Sequence, residues 1–269
     1  MKLRADLALV RQGLAPSREK AQALIMAGQV YQKEVKIIKA SEKVDEEAEL
    51  TLRGHVHPFV GRGALKLDKA LKAFQASVEG VTAMDIGAAT GGFTDVLLQN
   101  GAKHVFAIDV GYGQLDWKIR NDPRVTVMER TNARYLTQAD LGCTPQVTVM
   151  DVSFISVKLI LPVAAQLMDG KGRFYILIKP QFEAGRENVG KKGVVRDPAV
   201  HAEVLREFLR YAPECGFGVR GLDFSPIRGP EGNIEYLAWL KKGAESIPEP
   251  DIDALVAASH AAHGKDSEK

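Results

Sequence analysis

Two aliphatic runs in the 269-residue chain each end on a charged side chain. Val147-Thr148-Val149-Met150 leads into Asp151, and Tyr175-Ile176-Leu177-Ile178 leads into Lys179, which Pro180 biases towards an extended backbone. Such runs read as buried strands, so a carboxylate and an ammonium stand at two neighbouring strand ends, where open α/β sheets bind their ligands. A further acid, Glu235, opens a later run in Gly232-Asn233-Ile234-Glu235-Tyr236-Leu237, and Lys66 lies in a helical stretch, Arg62-Gly63-Ala64-Leu65-Lys66-Leu67. Taken singly, Lys66 also reads as a solvated helix residue and Glu235 as a strand-end charge. Together the four could orient a hydroxyl or handle its proton. No metal is expected: no Cys/His cluster offers a site, and His260 with His263 supplies only two ligands.

A second chemical signal is Asp85-Ile86-Gly87-Ala88-Ala89-Thr90-Gly91-Gly92-Phe93-Thr94. It reads as a strand end, a tight turn and a helix start. Gly87, Gly91 and Gly92 let the backbone approach a ligand, and the helix beginning near Phe93 directs free N–H groups at the gap. Asp109 ends the next strand, where a carboxylate accepts both hydroxyls of a ribose. Dinucleotide loops run Gly-x-Gly-x-x-Gly, and the middle glycine that makes room for a pyrophosphate is missing here. S-adenosylmethionine carries no phosphate, and Asp85 can compensate its cationic groups. The loop therefore favours S-adenosylmethionine over a nicotinamide dinucleotide. Asn132, after the third strand, is placed to face the adenine, with a plain turn residue as the alternative.

These residues need a scaffold, and the pattern from Ala64 onward alternates helix and strand in the manner of βαβ units. Strands are expected at 82–86, 105–109, 125–128, 146–151, 173–178, 218–224 and 235–240, with helices near 93–99, 115–121, 157–168 and 198–211. Seven strands, the last two joined without a helix, define the expected fold class: an α/β, Rossmann-like methyltransferase sheet preceded by a small α+β domain. The expected domains are 1–55, a linker at 56–63, 64–245, and a tail at 246–269 holding one amphipathic turn set around Ile252, Leu255, Val256 and Ser259. Phe59 is the one linker residue suited to docking on a domain.

Net charge is only +2, yet residues 1–40 carry eight Lys/Arg against Asp6, Glu19 and Glu34, and residues 41–60 then turn acidic. A short helix stopped by Gly13, a second capped by Ser17 and stopped by Gly28, and short strands near 30–31, 35–38 and 49–52 leave a compact positive surface. A charge run of this kind is often no more than a solvated face. The words Leu14-Ala15-Pro16-Ser17-Arg18-Glu19-Lys20-Ala21, Leu24-Ile25 and Gly28-Gln29-Val30 also resemble the RNA-binding domain of ribosomal-protein-S4 type. That resemblance implies RNA contacts from Arg4, Arg11, Arg18, Lys20 and Lys33. No apolar run reaches membrane-span length, no signal peptide is evident, and Cys143 and Cys215 read as buried apolar residues, so a cytoplasmic protein with no membrane and no obligatory protein partner is expected.

Over both domains, the words Arg62-Gly63-Ala64-x-Lys66-Leu67, Asp85-Ile86-Gly87-Ala88-x-Thr90-Gly91-Gly92-Phe93-Thr94, Asp151-Val152-Ser153-Phe154-Ile155-Ser156, Ile178-Lys179-Pro180-Gln181-Phe182-Glu183 and Gly232-Asn233-x-Glu235-Tyr236 resemble the TlyA, or hemolysin A, family of FtsJ-like rRNA 2'-O-methyltransferases. The resemblance implies a catalytic tetrad of Lys66, Asp151, Lys179 and Glu235, and a cytidine ribose of ribosomal RNA or ribosomal subunits as target. It implies a cofactor site drawn from Asp85, Gly87, Ala88, Thr90, Gly91, Gly92, Phe93, Asp109, Asn132 and Asp151. A ribose 2'-hydroxyl is a poor nucleophile until its proton is removed or its lone pair is aligned with the methyl group, and Lys179 is the residue expected to do one or the other. The loop 181–197, with Arg186, Lys191, Lys192 and Arg196, is expected either to be a mobile lid that grips the phosphates beside the target nucleotide or to be a plain solvated loop. The competing classes are a membrane-active hemolysin, for which no spanning segment is seen, and a non-catalytic RNA-binding assembly factor, against which the intact tetrad argues.

Overall fold

In the computed structural model the described residues are 2–26, 28–33, 35–45, 48–52 and 58–264; Met1, Ala27, Glu34, Glu46, Glu47, residues 53–57, which include the first two of the expected linker, and residues 265–269 lie outside them. The chain divides into two compact units, Met1–Pro58 and Phe59–Lys269.

The first unit contains β1 (Lys2–Arg4), α1 (Ala5–Arg11), α2 (Arg18–Met26), β2 (Val30–Gln32), β3 (Val35–Lys36), β4 (Lys43–Asp45) and β5 (Leu50–Leu52). The helices pack through Ala5, Ala8, Leu9, Ala21 and Ile25 onto Val30, Ile37 and Leu50. β2 lies between β3 and β5, and β1 pairs antiparallel with β4, with Leu3 opposite Val44. That last pair is absent from the sequence expectation. Each of its strands has three residues and one buried or half-buried apolar side chain, too short for alternation to register.

The second unit is built from α3 (Ala64–Ala73), β6 (Thr82–Ile86), α4 (Gly92–Gln99), β7 (His104–Ile108), α5 (Trp117–Arg120), β8 (Val125–Met128), α6 (Gln138–Leu141), β9 (Val147–Met150), α7 (Leu161–Leu167), β10 (Arg173–Ile178), α8 (Pro180–Glu183), α9 (Pro198–Glu214), β11 (Phe217–Phe224), β12 (Tyr236–Lys242) and α10 (Ile252–Gly264). The seven-stranded sheet has the order β11-β12-β10-β9-β6-β7-β8. β12 runs antiparallel to both neighbours, and the other pairings are parallel. Because β6 leads to β7 on one side and adjoins β9 on the other, the winding reverses between β6 and β9, which is where such sheets open a ligand crevice. Helices cover both faces, so the central strands are mostly apolar, with Asp85 and Thr148 as buried exceptions; Val147 and Val149 are buried on one face and Met150 on the other.

Three expectations are corrected. The helix expected at 157–168 is a 3₁₀ turn, Val157–Leu159, followed by α7, because Pro162 has no N–H to give an earlier turn and fits only at a helix start. The tail from residue 246 is not a frayed appendage: α10 spans 13 residues, and its Ile252 and Val256 enter the main core. Its buried stripe runs on from Ser259, already in the expected set, to His263, whose polar character hid that last turn; Ser259 Oγ lies 3.0 Å from the Tyr236 hydroxyl, and His263 Nε2 donates to the Ser225 carbonyl at 2.9 Å. The residues after Pro58 also belong to the second unit: Phe59 is buried among Ala64, Leu67 and Phe93, and the Val60 N–H donates to Asp95 Oδ2 at 2.9 Å. Among the described residues no helix is long and apolar enough to cross a membrane.

Candidate active site

Strand register brings the four charged residues together. Ile178 faces Tyr236 across the β10–β12 ladder, so Lys179 and Glu235 are the next residues on facing strands. Ile86 stands beside Met150, so Gly87 and Asp151 leave the sheet side by side. Gly87 has φ +86°, and a Cβ there would sit 2.7 Å from the Asp151 carbonyl oxygen, so only glycine permits this approach. α3 packs Ala64, Leu67, Ala70 and Leu71 into the core and carries Lys66 inward beside them. The result is a chain of alternating charge: Lys179 Nζ is 2.6 Å from Asp151 Oδ1, Lys66 Nζ is 3.2 Å from Asp151 Oδ2, and Lys66 Nζ is 2.6 Å from Glu235 Oε2. Lys179 Nζ also donates to Ser153 Oγ at 3.0 Å.

Lys66 and Lys179 are each 6% exposed and Glu235 1%, while Asp151, beside the cavity, is half-buried. Burial disfavours the Lys66 ammonium, but Asp151 and Glu235 outweigh it and hold the lysine above its ordinary pKa. Burial likewise opposes the Asp151 carboxylate, and Lys66 and Lys179 overcome it, holding Asp151 below the usual range. Asp151 is therefore a fixed anion between two ammonium groups. Among the described residues no group of three or more His, Cys, Asp or Glu is arranged to hold a metal ion.

Beside this chain a cavity of about 420 Å³ opens at the carboxyl ends of β6, β7 and β9. Of the expected cofactor residues, Gly87, Asp109, Asn132 and Asp151 line it. The Asp109 carboxylate is aimed by two backbone donors, Ala89 N–H at 2.8 Å to Oδ2 and Gly111 N–H at 2.7 Å to Oδ1. Each oxygen keeps a second lone pair, the acceptor set that a ribose diol requires. Asn132 caps a 3₁₀ turn by accepting the Arg134 N–H at 3.1 Å, so it is both a turn residue and a wall of the cavity.

Ala88, Thr90, Gly91, Gly92 and Phe93 do not line this cavity. Phe93 is buried in the core, and Gly91, with φ +90°, lies where a Cβ would meet Leu115 and Ile119. The second and third glycines thus let α4 pack closely. Asp85 is fully buried and accepts the Thr94 hydroxyl at 2.7 Å, while its Oδ1 is without a hydrogen-bond partner. Burial is the main cause that raises its pKa, to about 7. Sequence reasoning did not single out Gln114, Thr131 or Phe154 as cavity residues. Phe154 has φ +64°, is 92% exposed, and its ring lies 5.4 Å from that of Phe182 at a tilt of 50°; the left-handed backbone that turns it outward has no signature in the sequence.

In the first unit Asp6 is fully buried and gathers two of the expected RNA-binding residues. Arg4 donates to it from Nε at 3.0 Å and NH2 at 2.9 Å, and Arg18 from Nε at 2.9 Å. The Arg4 bonds, with those of Arg18 and Gln22, hold the Asp6 carboxyl well below its usual range. Arg11, Lys20 and Lys33 are exposed. Arg4 and Arg18 remain part-exposed, so Asp6 orients their guanidinium groups at the surface.

A doubly wound sheet with an antiparallel last strand, and a cavity at its switch point walled by Asp109 and Asn132 beside a charged tetrad, defines a methyltransferase of the S-adenosylmethionine-dependent class. The FtsJ-like methyltransferase family model matches residues 59–242, and the S4 domain model matches residues 3–50. The chain is 51% identical over 265 residues to a candidate rRNA methyltransferase, YqxC, of Bacillus subtilis, covering 96% of this chain and 94% of that one. It is 46% identical over 239 residues to the 16S/23S rRNA (cytidine-2'-O)-methyltransferase TlyA of Mycobacterium tuberculosis, covering 88% and 89%. A solved structure of a candidate hemolysin from Streptococcus thermophilus superposes with a TM-score of 0.80 at 46% identity, over 100% of this chain and 99% of that one. The chain belongs to the TlyA/hemolysin A family of FtsJ-like methyltransferases, with an N-terminal S4 domain. Its cofactor is S-adenosylmethionine.

Proposed function

We propose that the protein methylates the 2'-hydroxyl of a cytidine in ribosomal RNA, acting on ribosomal subunits in the cytoplasm. The observation that carries this reading is the alternating chain Lys179–Asp151–Lys66–Glu235 placed against the cavity that Asp109 and Asn132 wall. When bound, S-adenosylmethionine supplies a methyl group made electrophilic by its sulfonium. Asp109 would hold the ribose diol of that cofactor, and the buried Asp85, with Oδ1 unpartnered, would add negative potential to the site when ionised. Lys179 Nζ, held by Asp151 and Ser153, orients the RNA hydroxyl and takes or shares its proton. Lys66, held from behind by Glu235, keeps the Asp151 carboxylate ionised and fixed. Phe154, exposed at the rim, offers a face on which a base can stack. The S4 domain supplies RNA affinity through its basic surface, including Arg4, Arg11, Arg18, Lys20 and Lys33.

The test is methyl incorporation into isolated ribosomal subunits, with 2'-O-methylation mapped in rRNA from cells with and without the protein. A cytidine whose ribose methylation requires the protein is the expected result. No incorporation, or calorimetry showing binding of NAD and none of S-adenosylmethionine, would overturn the reading.

A further inference from the structure

The basic loop between α8 and α9 is tied down at one residue. Val195 is buried, and both of its backbone polar groups are held by buried side chains: its N–H donates to Asn233 Oδ1 at 3.0 Å, and its carbonyl accepts from His201 Nε2 at 3.0 Å. Asn233 Nδ2 in turn donates to the Gly193 carbonyl at 2.8 Å. The one amide side chain therefore satisfies two loop residues, one as donor and one as acceptor, in the manner of an added strand. Just before this clamp the chain turns tightly, with Gly193 N–H donating to Gly190 O at 2.8 Å and Gly190 N–H to Val194 O at 3.1 Å. That turn presents Lys191 and Lys192, which with Arg196 and Asn188 border an open basin of about 450 Å³.

The other end of the clamp is at the tetrad. Asn233 lies two residues before Glu235, and His201 Nδ1 accepts the hydroxyl of Tyr236, the residue after Glu235, at 2.8 Å. With His201 Nε2 committed to a carbonyl, Nδ1 of the neutral ring is the acceptor, and the lowered pKa that burial gives this histidine agrees with that tautomer. The segment that holds Glu235 against Lys66 thus also holds the loop, and the two share one rigid base.

We propose that Asn233, with His201 behind it, is a positioning residue for RNA: it fixes the Lys191–Lys192 turn so that the turn's charges meet the phosphates beside the target nucleotide. This rests on the reading of the protein as an RNA ribose methyltransferase. The geometry excludes a freely swinging lid, because a buried, doubly bonded Val195 hinders motion of the loop's second half. It assigns the binding role to a pre-set turn, which loses less conformational freedom when RNA arrives than an untethered loop.

The experiment uses full-length Asn233→Ala and Asn233→Asp proteins. Direct binding to ribosomal subunits, turnover, affinity for S-adenosylhomocysteine and melting temperature are measured together. Loss of the clamp should weaken subunit binding about tenfold for Asn233→Ala, the scale of one to two buried hydrogen bonds. The Asp variant, which keeps the Val195 acceptor but loses the donor to Gly193, should fall between it and wild type. Affinity for S-adenosylhomocysteine should stay within about twofold of wild type, since no residue of the clamp lines the cofactor cavity. The decisive arm is charge reversal of Lys191 and Lys192 to Glu, which should weaken binding strongly in wild type and far less in the Asn233→Ala background. Equal effects in both backgrounds, or unchanged subunit binding in Asn233→Ala, would overturn the proposal. So would a loss of cofactor affinity and melting temperature that parallels the loss of binding. Wild-type protein that bound subunits but methylated no RNA would instead sink the reading of the active site and leave the clamp result standing.

Discussion

Lys66 and Glu235 form an ion pair of 2.6 Å in which neither side chain is more than 7% exposed, and Lys66 reaches Asp151 from the same nitrogen. Removing Glu235 leaves a buried ammonium with one carboxylate in place of two. Breaking a pair of this kind costs about 3–5 kcal/mol. Glu235→Ala should therefore lower the urea midpoint clearly, and Lys66→Met combined with Glu235→Leu should recover most of the stability while methyl transfer stays lost. A double variant no more stable than Glu235→Ala would show that the pair's desolvation is not the dominant cost.

Lys179 is the tetrad member that also holds Ser153 at the wall of the cofactor cavity. Lys179→Ala should reduce single-turnover methyl transfer by about 10²–10⁴, the range of a positioned proton-transfer group, with S-adenosylmethionine still bound in calorimetry. Transfer at the wild-type rate would remove Lys179 from the reaction.

Asp85 sets a pH dependence of stability. Its pKa is raised to about 7 in the folded protein, mainly by burial, against about 3.9 in an unfolded chain. Between those values the folded state binds the extra proton, so this group's contribution is greatest below pH ~4, is lost as pH rises, and is gone above pH ~7. The paired groups do not oppose this window. Asp151, depressed, loses its contribution only as pH falls below the usual carboxylate range, and Lys66, raised, loses its own only above the lysine range. Asp85→Asn should flatten the fall in stability between about pH 4 and 7 and be the more stable protein at pH 8, as read from urea midpoints across that range. An unchanged pH profile would show that Asp85 ionises freely.

Glu183 joins two site-bearing segments. Its carboxylate accepts the Ser156 hydroxyl at 2.7 Å and the Val157 N–H at 2.9 Å, tying the loop that carries Ser153 and Phe154 to α8, which follows Lys179. Burial raises its pKa, so the bonds it receives are what keep it useful as an acceptor. Glu183→Ala should lower S-adenosylmethionine affinity about tenfold through the loosened wall, and Glu183→Gln, which keeps one acceptor, should do less. Calorimetry that finds equal affinity for wild type and Glu183→Ala would separate the two segments.

The five parallel strands β6 to β10 were legible because buried strands write themselves as short aliphatic runs: Thr82–Ile86, Val125–Met128 and Arg173–Ile178 lie where their residues alone put them. Asp151 and Lys179 stood out for the same reason, since a charge that ends such a run is conspicuous. Lys66 and Glu235 did not. Each has a bland local reading, and only the pairing of Ile178 with Tyr236 and the inward face of α3 carry them to a shared anion. The glycine-rich stretch divides likewise. Its composition forecast a turn and a close approach, but whether a glycine serves a ligand or a helix contact depends on what stands opposite: the Asp151 carbonyl for Gly87, Leu115 and Ile119 for Gly91. The stripe of α10 was legible from Ile252 to Ser259 but not on to His263, and the hold on Val195 was hidden altogether, because buried polar side chains are satisfied by partners far away in sequence. Local pattern determines which segments are strands and helices; register and packing decide which charges, glycines and amides meet, since those contacts exist only after the chain has closed on itself.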